Sequence, residues 1–185
     1  VDECGECGGG GIADGACDCD GNVEDCEGVC GGTAENCSSN PPDWEYNPGD
    51  YASTATLGAA GVSMDGANIS DLDDILAAFD ADGNCRGIAG NLTAGFGPLN
   101  GLSYHEMQIG SNAAGDIITF KYYDAATDEI LIVGSWSFTD PTYPYVFVVD
   151  DLFGNLNDPV MMDAGPPLEG CTDPLADNYN ADANI

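Results

Sequence analysis

The sequence predicts a mainly β protein: an antiparallel β-sandwich or jelly roll over residues 41–165, with a disulfide-rich, irregular, calcium-binding arm at 1–40 and a short tail at 166–185. Three observations lead there. Short runs rich in Val, Ile, Thr, Tyr and Phe recur between Gly, Pro, Asn and Asp breaks through the middle of the chain, the pattern of many short strands joined by turns. Seven of the nine cysteines fall in the first 37 residues, among Gly and Asp and with almost no large apolar side chains. Such a stretch has no core to bury, so cross-links and ions must hold it. The chain carries 33 acidic against 2 basic residues, a formal charge of −31.

That charge excludes nucleic acid and anionic membrane surfaces as direct partners, since both require cations on the protein. Dense like charge also opposes compaction unless counter-ions gather, and carboxylate-bound Ca²⁺ supplies them. At 43% hydrophobic the chain is not disordered by composition, and no segment reaches the about 20 apolar residues of a membrane helix. The chain opens on Val1 without a visible signal peptide, as in a mature product or an excised piece.

In the arm, Cys4, Cys7, Cys17, Cys19, Cys26, Cys30 and Cys37 read as disulfide cysteines of an oxidising, extracellular setting. Zinc is the competing reading of Cys4 and Cys7. The spacings form no two matched pairs, however, and no His lies nearby. Asp2–Gly9 and Asp25–Gly32 are near-repeats, separated by Asp18-Cys19-Asp20-Gly21-Asn22. Alternating oxygen donors ended by Gly suit a calcium loop, so Asp18, Asp20, Asn22 and Asp25 are candidate ligands.

After the turn-forming Ser38–Pro42 linker, strands are expected at Tyr51–Leu57, Gly61–Met64, Asp74–Phe79, Cys85–Ala89, Ser103–Ile109, Ile117–Tyr123, Ile130–Phe138, Tyr145–Val149 and Pro159–Met162. A short helix capped by Ser70 competes with the strand over Ser70–Ala78. Asp80, Asp82 and Asn84 offer a second calcium loop, against the plainer reading of an acidic hairpin turn. Arg86 and Lys121, the only basic residues, are each expected to pair with a carboxylate, Arg86 with Asp73 or Asp74. Cys85 reads as a free buried cysteine, and His105, the only histidine, as an ordinary strand residue. No G-x-S-x-G elbow is present, so no enzyme is expected. Trp44, Trp136, Tyr143 and Tyr145 are weighed as a sugar-stacking platform against core packing, and Asn36, Asn68 and Asn91 head glycosylation sequons.

Three stretches carry resemblances. The near-repeats Asp2–Gly9 and Asp25–Gly32, the second of the form D-C-x-G-x-C-G-G, with the interposed D-x-D-G-N resemble the thrombospondin type 3-like calcium repeats of secreted bacterial surface proteins, which implies an extended, disulfide-stapled, calcium-loaded connector. The blocks at Trp44–Tyr51, Asp73–Phe79, Cys85–Ala89 and Ile118–Ala125 resemble a β-sandwich module found in tandem in secreted bacterial proteins. Gly170–Ala183 resembles a small surface-protein repeat whose closing stretch holds a partner for Cys171. Together they are similar to protomers of helical extracellular fibrils. One arrangement pairs Cys171 with Cys4 of another copy and leaves the six remaining arm cysteines as three pairs; docking without a bond is the other. Other copies of the chain are thus the expected partners, with glycans the alternative, and the expected location is extracellular.

Overall fold

The structure, a computed structural model, describes residues 4, 11–13, 15–23, 30–31, 40–138 and 141–167. The chain divides into two compact units, Val1–Asn40 and Pro41–Ile185.

The second unit is mainly β. After a 3-10 turn at Pro48–Asp50 come, among the described residues, eleven strands: β1 Ser53–Met64, β2 Ala67–Asn68, β3 Ile75–Phe79, β4 Cys85–Ile88, β5 Gly90–Thr93, β6 Ser103–Ser111, β7 Ile117–Asp124, β8 Glu129–Trp136, β9 Tyr145–Val146, β10 Leu152–Phe153 and β11 Val160–Gly165. They form one sheet in the order β4-β3-β7-β8-β11-β1-β6-β5, with β2 and β10 added to β1 and β9 to β7. Most pairs are antiparallel, but β1 runs parallel to both β10 and β11. The expectation of a purely antiparallel sheet is corrected there. The long connection after β8 carries the chain back, so that β11 enters between β8 and β1 in the direction of β1.

The period-2 pattern places one side of β7, β8 and β11 inside, while β3 is buried on both sides. Ile118, Phe120 and Tyr122 of β7, Leu131 and Val133 of β8, and Val160, Met162 and Ala164 of β11 join a single core. Complete burial of each large apolar side chain among them stabilises the fold by about 1.5–3 kcal/mol before entropy is counted. In β1 both Leu57 and Ala60 face this core, although they are three residues apart. A bulge between them changes the parity. Two expected strands are therefore one. Gly58 permits the bulge: a Cβ there would stand 2.6 Å from the Gly154 carbonyl. The stretch read as strand or helix forms a strand, β3, and β2, β5 and β10 are strands that were not expected.

The sheet is nearly closed, and the closing segment is identifiable. The two ends of the strand order, β4 and β5, are consecutive in sequence with only Ala89 between them. Residues 85–88 pair with β3, Ala89 N–H donates to Leu76 O at 2.9 Å, and residues 90–93 pair with β6. One bent stretch thus belongs to both edges. Gly87 lies where it crosses β6: a Cβ would stand 2.5 Å from the Gln108 carbonyl.

Candidate functional site

The chemically dense part of the second unit lies along this closing stretch. At its start, Asp80-Ala81-Asp82-Gly83-Asn84 makes the turn from β3 into β4. Asp80 Oδ1 accepts from Asp82 N at 3.0 Å and Asn84 N at 2.8 Å, and Oδ2 accepts from Asn84 Nδ2 at 3.0 Å. Gly83 takes the left-handed φ of 82° that closes the turn. Arg86 Nε then donates to Asp80 Oδ2 at 2.8 Å. A carboxylate offers about four lone-pair positions, and these donors occupy them. Burial alone pushes the Asp80 carboxyl up, but the bonds from Asn84 and Arg86 outweigh it and bring the pKa to about 2.

Arg86 also donates through Nη1 to Gly110 O at 3.1 Å and through Nη2 to Asp116 Oδ2 at 3.2 Å. Its guanidinium carbon stands 4.9 Å from the centre of the Tyr51 ring, and Tyr51 in turn donates to Cys85 O at 3.0 Å. The expected partners Asp73 and Asp74 are thus replaced by Asp80 and Asp116. Across the β3–β4 hairpin the residue facing Arg86 comes from the turn, while Asp74 lies at the far end of β3. Lys121 makes no ion pair among the described residues; its ammonium stands 5.0 Å from the centre of the Phe79 ring.

At the other end of the closing stretch a buried polar group forms. Asp74 is almost wholly buried and accepts from Asp71 N at 2.6 Å, Ala125 N at 2.9 Å and the Tyr122 hydroxyl. Burial raises its pKa, and burial beside Asp74 raises that of Tyr122, so the phenol keeps its proton and donates. Asn91 Nδ2 donates to Leu72 O at 3.0 Å and to Asp74 O. With both amide protons so used, Asn91 Oδ1 must accept, and His105 Nδ1, 2.8 Å away, carries the proton. His105 is fully buried, its ring edge-on to Tyr122 with centroids 5.6 Å apart, and its Nε2 has no hydrogen-bond partner. Burial lowers its pKa to about 4. It is a strand residue, as expected, but a fully buried one that holds a polar network sequence reading missed; an Asn opposite the only His on neighbouring strands was the available signal.

Trp44, Tyr46, Tyr51, Cys85, Ile88 and Asp50 line a cleft of about 550 Å³. Trp44 packs edge-on against Phe79 and Tyr46 stacks on Tyr51. The other weighed platform residues point inward: Trp136 packs against Phe120, Tyr143 and Phe153, and Tyr145 is fully buried. Cys85 is the free cysteine among the described residues, and burial pushes its thiol up, away from nucleophilic character.

In the first unit the same D-x-D-G-N turn recurs. Asp18 Oδ1 accepts from Asp20 N and Asn22 N, each at 3.0 Å, Asn22 Nδ2 reaches Asp18 Oδ2 at 2.6 Å, and Gly21 has φ 80°. Here cross-links flank it, Cys4–Cys19 and Cys17–Cys30. Cys4 is therefore bonded within its own chain, which corrects the arrangement pairing it with Cys171 of another copy. No Lys or Arg occurs in residues 1–40. Among the described residues no three His, Cys, Asp or Glu side chains are gathered for a metal. Of the expected calcium ligands, Asp80 is saturated by protein donors, whereas Asp82 and Asn84, like Asp20 and Asn22, are exposed. Asp25, Asn36, Cys7, Cys26, Cys37 and Cys171 lie outside the described residues.

Comparison with protein-family models, curated proteins and solved structures finds no match.

Proposed function

We propose that this chain is a non-enzymatic structural subunit of an extracellular fibre or surface stalk, in which copies join head to tail and Ca²⁺ and disulfides stabilise the arm. The nearly closed sheet serves on this reading as a jelly-roll-like sandwich body. The observation that carries the proposal is the contrast between the two D-x-D-G-N turns. The turn beside β4 has its own cation, Arg86, bound to Asp80. The arm turn has the same carboxylate arrangement, in a segment with no basic residue. Its charge is left to be met from solution, and a hard, oxygen-seeking divalent ion suits exposed carboxylates and amide oxygens. Asp20 and Asn22, with Asp18 and Asp25, would hold it. The two disulfides among the described residues fit an oxidising, extracellular environment. No helix among the described residues is long and apolar enough to cross a membrane.

Imaging and light scattering of the purified chain with Ca²⁺ and with a chelator test the proposal. Filaments or ladders of copies that disperse on chelation are expected. A monodisperse chain indifferent to both would overturn it. The aromatic cleft of Trp44, Tyr46 and Tyr51 beside Asp50 favours one alternative, a calcium-dependent carbohydrate-binding or adhesive module. Binding of that monodisperse chain to a glycan panel, lost on Trp44→Ala, would establish it instead.

A further inference from the structure

Two of the three sequons lie among the described residues, and their surroundings differ in kind. Asn68 stands in β2, just after the tight turn at Asp65 and Gly66, and is exposed. Its Oδ1 accepts from Ser70 N at 3.1 Å, and its Nδ2 makes no hydrogen bond among the described residues. Asn91 in β5 has both amide protons engaged by the carbonyls of Leu72 and Asp74 and its Oδ1 engaged by His105, so the amide is fixed from both ends and cannot turn over.

We propose that the fold sorts these sequons: Asn68 is a glycan-bearing position, and Asn91 is closed to modification in the folded chain. N-glycosylation joins Nδ2 to C1 of a sugar. One Nδ2 proton leaves, the C1–O bond of a lipid-diphosphate-linked oligosaccharide breaks, and the diphosphate departs with that oxygen. At Asn68 the product keeps the Oδ1 bond to Ser70 and directs the sugar into solvent. At Asn91 the product loses one of two carbonyl bonds and sets a pyranose where a backbone carbonyl now lies within hydrogen-bond reach. Leaving the part-buried Asp74 carbonyl without its donor is costly. The lost bond also joins β5 to the stretch before β3, the contact that helps close the sheet. A chain glycosylated at Asn91 before folding is thus held open, and one glycosylated at Asn68 is not.

The inference takes from the proposed function only that the chain passes through a compartment holding a glycan donor. The experiment supplies that compartment and does not measure fibre formation, so the two readings fail separately. The full chain carrying Asn36→Gln, to silence the third sequon, is secreted from a eukaryotic host. Site occupancy is then read by mass spectrometry after enzymatic glycan release in heavy-oxygen water. The folded secreted protein should carry its glycan at Asn68, lose that mass increment on Asn68→Gln, and show Asn91 unmodified. Thr93→Ala abolishes the second sequon without touching the Asn91 amide, and it should leave the glycan content of the secreted protein unchanged. An unmodified Asn68, or a glycan on Asn91, in secreted protein with the far-ultraviolet spectrum of the β fold would overturn the inference.

Discussion

Arg86 Nη1 donates to the Gly110 carbonyl at 3.1 Å and so ties β4 to β6, two neighbouring strands that share no ladder. The same guanidinium holds Asp80 and Asp116, so one side chain joins the turn before β4, the end of β6 and the entry to β7. At the other end of the closing stretch the Asn91 amide does the corresponding work, reaching from β5 to the residues before β3. Side-chain donors thus replace ladder bonds at both ends of the seam. Arg86→Ala removes one such replacement and leaves Asp80 facing the turn without its cation. A loss of about 2–4 kcal/mol is expected, near the lower part of the range for breaking a buried pair, because the pair is only mostly buried. Arg86→Lys should recover a minor part, since an ammonium lacks the planar fork that meets three acceptors. Urea denaturation measures both; an alanine variant as stable as the parent would show that the seam holds without Arg86.

Gly87 marks where β4 crosses β6 without pairing. A methyl group there would stand 2.5 Å from Gln108 O and 3.3 Å from the Met107 sulfur. The first neighbour is backbone and cannot swing aside, so Gly87→Ala must part the strands. We expect a loss of about 1–3 kcal/mol, the usual range for overpacking, from a substitution that in an open strand would be mild. Gly90→Ala, whose added carbon meets nothing within 4 Å, is the control. Comparable thermal midpoints for the two variants would contradict the close approach.

How far this arrangement was legible in the sequence depends on the residue. β3, β4, β6, β7 and β8 follow from short apolar runs between turn residues, because a half-buried strand repeats every second residue. Gly90-Asn91-Leu92-Thr93 gave no such signal: its Asn serves a bond inside the fold while Leu92 is exposed. Arg86 was recognisable as scarce and structural, but its partner was not. Choosing among nearby carboxylates needs the hairpin register that sets Ala78 opposite Gly87 and Phe79 opposite Cys85. The bulge in β1 hid one long strand as two runs, since an inserted residue breaks the period that sequence reading follows.

The chain has one histidine, so its titration can be isolated. His105 is held near 4 in the fold and sits near 6.5 when unfolded. Between those values the unfolded chain binds more protons. Stability therefore rises with pH across that window, is complete above about 6.5 and is lost as pH falls toward 4. The full span is worth about 3 kcal/mol. His105→Phe abolishes this slope, although it lowers stability at neutral pH by about 1–3 kcal/mol because Asn91 Oδ1 loses its donor. Subtracting the variant's pH profile from the parent's cancels the titrating carboxylates, Asp74 among them, whose raised pKa acts in the opposite sense. A difference profile flat from pH 4 to 6.5 would mean that His105 is not held neutral by burial.

The arm should respond to reductant separately from the sheet. Cys4–Cys19 and Cys17–Cys30 close loops of 15 and 13 residues in a segment with almost no large apolar side chains. Each such closure removes about 3 kcal/mol of chain entropy from the unfolded arm, on the entropic account of cross-links. Once both bonds are cut, the support left to the Asp18 turn among the described residues is its own local hydrogen bonding. The second unit has no disulfide among its described residues and rests on the core around Phe120 and Tyr122. Amide exchange in reductant should therefore show loss of protection in residues 15–23, with β1, β6, β7 and β8 still protected. Adding Ca²⁺ to the reduced chain distinguishes the two supports of the arm. Protection restored at Asp18–Asn22 by the ion alone would place the ion's contribution beside that of the cross-links. Protection that depends only on oxidation would leave the cross-links as the arm's whole support, and the contrast between the arm turn and the Arg86-bound turn would then carry no calcium.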